Sequence, residues 1–144
     1  YKAAMKAAPM QFSSAAYTRD ASNNTASAID MAKLMVKIAK TEAGTPEDCS
    51  DMIAIMELQH FQDRIPRYLP LGSVANKTGS LRGLRNDVGL IRRGKGDTIA
   101  FAMFTFDDTE LPHGNSRQLQ DANVRIGSLM GEVGQVLWDE FARE

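Results

Sequence analysis

Three short strand-like runs in close succession constrain this chain more than any other feature. They cover about Ser73 to Ser80, Leu84 to Arg92 and Asp97 to Phe106. The link Arg93-Gly94-Lys95-Gly96-Asp97 has hairpin-turn chemistry, so the last two runs are expected to pair antiparallel. The third run sets Ile99, Phe101 and Met103 against Ala100, Ala102 and Phe104. Both of its faces are apolar, which predicts cover on each side and a central place in the sheet. A polar loop from Asp107 to Asn115 follows. Then Leu119, Ala122, Ile126, Met130, Val133, Leu137 and Phe141 recur at steps of three and four. That stripe predicts a long helix, from about Ser116, laid across the sheet. Gly127, Gly131 and Gly134 weaken such a helix by about 1 kcal/mol each relative to alanine. They suit a helix that another element approaches closely.

Upstream of the strands the pattern is helical. Lys2 to Ala8 can form a helical piece that Pro9 stops, and Gln11 to Thr25 has the Ser, Asn, Asp and Thr content of a loop. Ser27-Ala28-Ile29-Asp30 has the capping-box form, with Ile29, Ala32, Val36 and Ala39 on one face and Gly44 as the expected stop. Thr45-Pro46-Glu47-Asp48 opens a second helix with a hydroxyl cap, an early proline and two acids. Its apolar stripe is Cys49, Met52, Ile53 and Met56, read as core. Two prolines then break Ile65 to Gly72. The expected architecture is α+β, with a three-stranded antiparallel sheet and the long last helix on one face. A helical part is expected over residues 1–72, and the sheet with its helix over 73–144.

Composition removes several function classes. The chain has 144 residues and a net charge of −1, which gives no reason to expect nucleic acid or anionic lipid as a partner. The longest apolar stretches are too short to span a bilayer, and the first residues do not form a signal peptide. The single cysteine, Cys49, excludes an intrachain disulfide and lacks a basic neighbour that would activate it. With two histidines, His60 and His113, in unrelated settings, no metal site or cofactor is expected.

The motif that carries chemistry is Lys77-Thr78-Gly79-Ser80, inside the first strand-like run. Lys-Thr-Gly on a strand is one of three motifs of serine β-lactamases and penicillin-binding proteins; the others are Ser-x-x-Lys, which holds the nucleophile, and Ser-Asp-Asn. No serine here has a lysine three positions later, and Ser50-Asp51-Met52 does not match the third motif. Taken alone, a lysine at such a place is as well explained by simple solvation. The flanking sequence adds to it. From about Thr25 to Phe106 the chain resembles the C-terminal half of the class A serine β-lactamase family. The likeness runs through Thr25 to Ala32, Gln59-His60-Phe61-Gln62-Asp63-Arg64-Ile65-Pro66, Asn76-Lys77-Thr78-Gly79 and Arg85-Asn86-Asp87-Val88-Gly89.

The resemblance implies a parent with an all-helical domain and an α/β domain of five strands, of which this chain supplies the last three. It implies that Lys77 and Thr78 bind the substrate carboxylate, that Gly79 leaves room for substrate, and that the Ser80 N–H is one oxyanion-hole donor. Arg85 on the next strand would support the carboxylate, and Asn86-Asp87 would be structural. The catalytic serine would lie in a missing N-terminal half, so no catalytic residue and no turnover are expected of this chain alone. The deacylating glutamate of the family is absent from Gln11 to Asn24, where Asp20 is the only acid. A penicillin-binding or esterase-like parent therefore stays open. The implied substrate is a β-lactam or related acyl compound, and the implied parent is periplasmic or secreted. Uncovered sheet surface further implies a homodimer or larger assembly. The competing reading is a non-catalytic, self-associating module.

Overall fold

The computed structural model describes residues 25–81, 83–94, 96–106 and 116–140. The expectations for Lys2 to Asn24, for the loop Asp107 to Asn115 and for Phe141 lie outside these residues. Helix α1 (Ala28–Ala39) starts at the capping box: Ser27 Oγ accepts from the Asp30 N–H at 3.2 Å, and Asp30 Oδ2 accepts from the Ser27 N–H at 3.3 Å. Helix α2 (Pro46–Glu57) repeats the device with Thr45 and Asp48, both bonds at 3.1 Å. The stop of α1 is not Gly44. Thr41 takes the left-handed conformation (φ 59°), its N–H donates to Ile38 O at 3.1 Å, and the Glu42 N–H donates to Lys37 O at 2.7 Å. This is the double carbonyl cap that ends many helices, usually on glycine. A β-branched residue holds it here at a cost of about 1–2 kcal/mol.

The buried face of α1 also differs from expectation. Met35 and Ile38 are buried, whereas Ile29 is 63% exposed and Val36 is exposed as well. Two apolar stripes run along this helix, and contact with Cys49 and Leu90 selects one of them. The α2 stripe is as expected: Cys49 is buried, and Met52, Ile53 and Met56 pack around it.

Strands β1 (Val74–Leu81), β2 (Leu84–Arg93) and β3 (Asp97–Phe106) form one antiparallel sheet in the order β1-β2-β3. The central strand is therefore β2, and β3 is an edge strand among the described residues, contrary to the expectation from its two apolar faces. Cover on both sides holds at Ala100 and stops before Phe104, which is exposed, and cover by helices does not require a strand on each side. Ala100 packs under α1 and α2, while Ile99, Phe101 and Met103 pack toward the last helix. Gly94 and Gly96 both have positive φ and make the β2–β3 turn.

Helix α3 (Ser116–Glu140) crosses the other face of the sheet, with Met130 fully buried against Ile65, Val74, Ile91 and Phe101. Val133, expected in the stripe, is exposed, and Trp138 packs instead. What approaches its glycines is a 3₁₀ turn, Ile65–Tyr68, together with Asp63 just before it. A Cβ on Gly127 or Gly134 would strike the carbonyl oxygen of Asp63 or Ile65, and one on Gly131 would lie 2.9 Å from the Tyr68 ring. Close backbone approach explains glycines that otherwise weaken the helix. Among the described residues no helix is long and apolar enough to cross a membrane.

Candidate functional site

The expected site residues fall on and beside the edge of β1 that pairs with no strand among the described residues. The Arg92 N–H donates to Ser73 O at 2.8 Å, which makes Ser73 and Arg92 a hydrogen-bonded pair. Pairs alternate along an antiparallel ladder. With Val74 opposite Ile91 and Ser80 opposite Arg85, the main-chain groups of Ala75, Lys77 and Gly79 turn to β2. Those of Asn76, Thr78 and Ser80 turn away from it, toward the edge. The Ser80 N–H is thus aimed off the sheet.

Lys77, Thr78, Gly79 and Ser80 are contiguous on this rim. Lys77 and Ser80 are exposed, and Thr78 and Gly79 are half-buried. Lys77 Nζ donates to Thr78 O at 2.7 Å, which keeps the ammonium at the strand edge. Arg85 lies opposite Ser80, but its guanidinium is directed elsewhere. Arg85 Nη1 pairs with Asp63 Oδ2 at 2.8 Å and Nε donates to Asn123 Oδ1 at 3.0 Å. A cavity of about 380 Å³ opens beside this trio, lined also by Arg67, Leu119, Gln120 and Val124. The structure therefore brings Lys77 to Ser80 together on one edge and ties Arg85 to α3.

Sequence reasoning assigned no role to Arg64, which is the keystone under this edge. It is 2% exposed. Its Nη1 donates to Gly79 O at 2.9 Å and also to Asn86 O, and its Nη2 donates to Ser80 Oγ. One planar fork thus spans β1 and β2 at the Gly79–Asn86 pair. The only signal was the adjacent pair Asp63-Arg64 before Ile65-Pro66, and an isolated charge pair reads as surface.

Beside Arg64 lies a second buried polar pair. Asn76 and Asp87 are both fully buried. Asn76 Nδ2 donates to Asp87 Oδ1 at 2.8 Å, and the Ile65 N–H donates to Asp87 Oδ2 at 3.3 Å. Burial pushes the Asp87 carboxyl up to about 6, against the opposing pull of Asn76 and Arg64. Burial also lowers the Arg64 guanidinium from its ordinary value, with Arg85 adding to the effect. Among the described residues no cluster of His, Cys, Asp and Glu could hold a metal ion.

This arrangement can present two main-chain donors and a cation to an anionic, extended ligand along the β1 edge. Comparison with solved structures places the fold. The chain superposes on a β-lactamase from Sphaerobacter thermophilus with a TM-score of 0.60 and 29% identity, covering 75% of this chain and 37% of that one. It superposes on TLA-1, an extended-spectrum β-lactamase, with a TM-score of 0.66 and 25% identity over 84% and 43% of the two chains. For PBP-A the TM-score is 0.64 at 23% identity, over 80% and 39%. The chain thus spans less than half the length of these structures. No curated protein sequence matches it. The β-lactamase enzyme family model matches residues 3–141, so the chain, with its Lys-Thr-Gly strand and the helix laid behind it, belongs to the β-lactamase enzyme family.

Proposed function

We propose that this chain supplies the substrate-binding wall of a serine acyl-transfer site for β-lactams or related acyl compounds. The nucleophile comes from polypeptide outside this sequence. One observation carries the reading: the Lys77-Thr78-Gly79-Ser80 run lies on an edge strand, with the outward main-chain groups of Thr78 and Ser80 next to the exposed Lys77. Lys77 and the Thr78 hydroxyl receive the substrate carboxylate and Gly79 lets the substrate lie against the backbone, whereas Arg85, held by Asp63 and Asn123, is taken out of the carboxylate-binding role. When a serine oxygen bonds to the β-lactam carbonyl carbon, charge develops on the carbonyl oxygen and the C–N bond then breaks. The Ser80 N–H stabilises that charge, a role worth about 2.7–4 kcal/mol per donor. A PBP-A variant whose structure is an acyl-enzyme with penicillin G shares this fold, which supports the substrate class.

Without a Ser-x-x-Lys sequence the chain alone is inert. Among the described residues no strand pairs with the outer edge of β3, beside the exposed Phe104, and there the rest of the fold or a second copy pairs. The test is co-expression with a polypeptide carrying the Ser-x-x-Lys half, followed by penicillin G and intact-mass analysis. An acyl adduct should form on the complementing half only when both are present, and Lys77→Ala should remove most of it. An adduct on this chain alone, or unchanged acylation in Lys77→Ala, overturns the reading.

A further inference from the structure

We propose that Arg64 and Asp87 are positioning residues for the Gly79–Ser80 edge: Arg64 holds it directly, and Asp87, when ionised, competes for Arg64. The functional meaning rests on reading β1 as the substrate-binding wall, but the coupling itself does not. Arg64 has five N–H donors. The structure spends Nη1 on Gly79 O and Asn86 O, and Nη2 on Ser80 Oγ. Its Nε is buried without a hydrogen-bond partner, 3.8 Å from Asp63 Oδ1, which is also unpartnered. Arg64 thus gives three of its five donors to the edge, and its Nε–H and one Nη2–H remain.

Asp87 is short of donors when charged. Each of its oxygens accepts one hydrogen bond, from Asn76 and from Ile65, where a carboxylate has room for about four. With a proton bound it needs no further donor. Asn76 Oδ1 has no partner, so turning that amide over offers the proton an acceptor. With the proton gone, the guanidinium of Arg64 is the favourable countercharge that burial makes valuable. Any turn of Arg64 toward Asp87 is taken from Ser80 and Gly79.

The surrounding charges are few. Asp63 and Arg64 act electrostatically on Asp87 from the segment before β1, whose Ile65 N–H bonds it, and Arg85 shares its strand face. Asn76 and Thr78 lie on β1, and Met103 is the opposite residue on β3. From α3, Asn123 engages Arg85, while Arg117, Asp121, Arg125 and Glu132 are exposed.

Amide spectra of the ¹⁵N-labelled chain between about pH 4.5 and 8 test the coupling. The Thr78 and Ser80 amides should follow one titration with a midpoint at about 6, and Asp87→Asn should abolish it at both. Arg64→Lys keeps the charge but loses the fork, so Thr78 should still titrate and Ser80 should not. Ser80→Ala, at an exposed position, releases Nη2 and should lower the midpoint at Thr78 by about half a pH unit. A silent Thr78 in the parent chain, or a Ser80 that still titrates in Arg64→Lys, overturns the proposal. If Arg64→Lys does not fold, an unmoved midpoint in Ser80→Ala overturns it alone. Loss of the substrate reading is distinguishable: acylation would then be indifferent to Lys77→Ala while the titration persists.

Discussion

Replacing Asp87 with asparagine measures how strongly the buried carboxyl couples folding to pH. The side chain is fully enclosed and its carboxyl is pushed up to about 6, from an ordinary value of 3.8. The folded state therefore binds the proton more tightly than the unfolded chain. The stabilising contribution is fully present below the ordinary value and is lost as pH rises through about 6. At about 1.4 kcal/mol per pH unit the whole effect is about 3 kcal/mol. Between about pH 7.5 and 4.5 roughly 2 kcal/mol of it is recovered. Asp30 and Asp48 act in the opposite sense. Hydrogen bonds from Ser27 and Thr45 hold these carboxyls below the ordinary range, so what they contribute is lost only in stronger acid. Urea unfolding followed by circular dichroism, on the parent chain and Asp87→Asn at both pH values, isolates the term because all other groups cancel in the difference. The parent should gain about 2 kcal/mol on the variant as pH falls. A difference that is flat, or that grows toward neutral pH, refutes the argument from burial.

Gly134→Ala should destabilise by about 2 kcal/mol or more, because overpacking against the Ile65 carbonyl outweighs the gain of about 1 kcal/mol in helix propensity; a raised urea midpoint would contradict the close approach. Thr41→Gly should stabilise by about 1 kcal/mol by relieving the left-handed threonine that ends α1, read as a higher melting temperature. Breaking the half-exposed ion pair between Arg92 and Glu57 with Arg92→Ala should cost under about 1 kcal/mol and less still in high salt. The purified chain should run above its 15.8 kDa monomer mass in light scattering, as pairing through the β3 edge requires; a stable monomer that binds no apolar dye would count against it.

Local chemistry was legible in the sequence. Both capping boxes, the Pro46 start, the three strands, the turn at Gly94 to Gly96 and the extent of α3 follow from hydrogen bonding, backbone restriction and apolar period within a few residues. The Lys77 to Ser80 run was legible for the same reason, since its four residues are contiguous on one strand. Partner choice was not. Alternation shows that both faces of β3 are apolar but not how far each is covered or whether a strand lies beside it. Two apolar stripes on α1 cannot be ranked until Cys49 and Leu90 arrive. Arg64 reaches residues 15 to 22 positions away, and Asp87 meets Asn76 across a ladder whose register the chain sets only on folding. A charge in sequence reads as solvated by default. Only the tertiary structure, by closing apolar surface over Arg64 and Asp87, turns two ordinary charges into the buried support of the β1 edge.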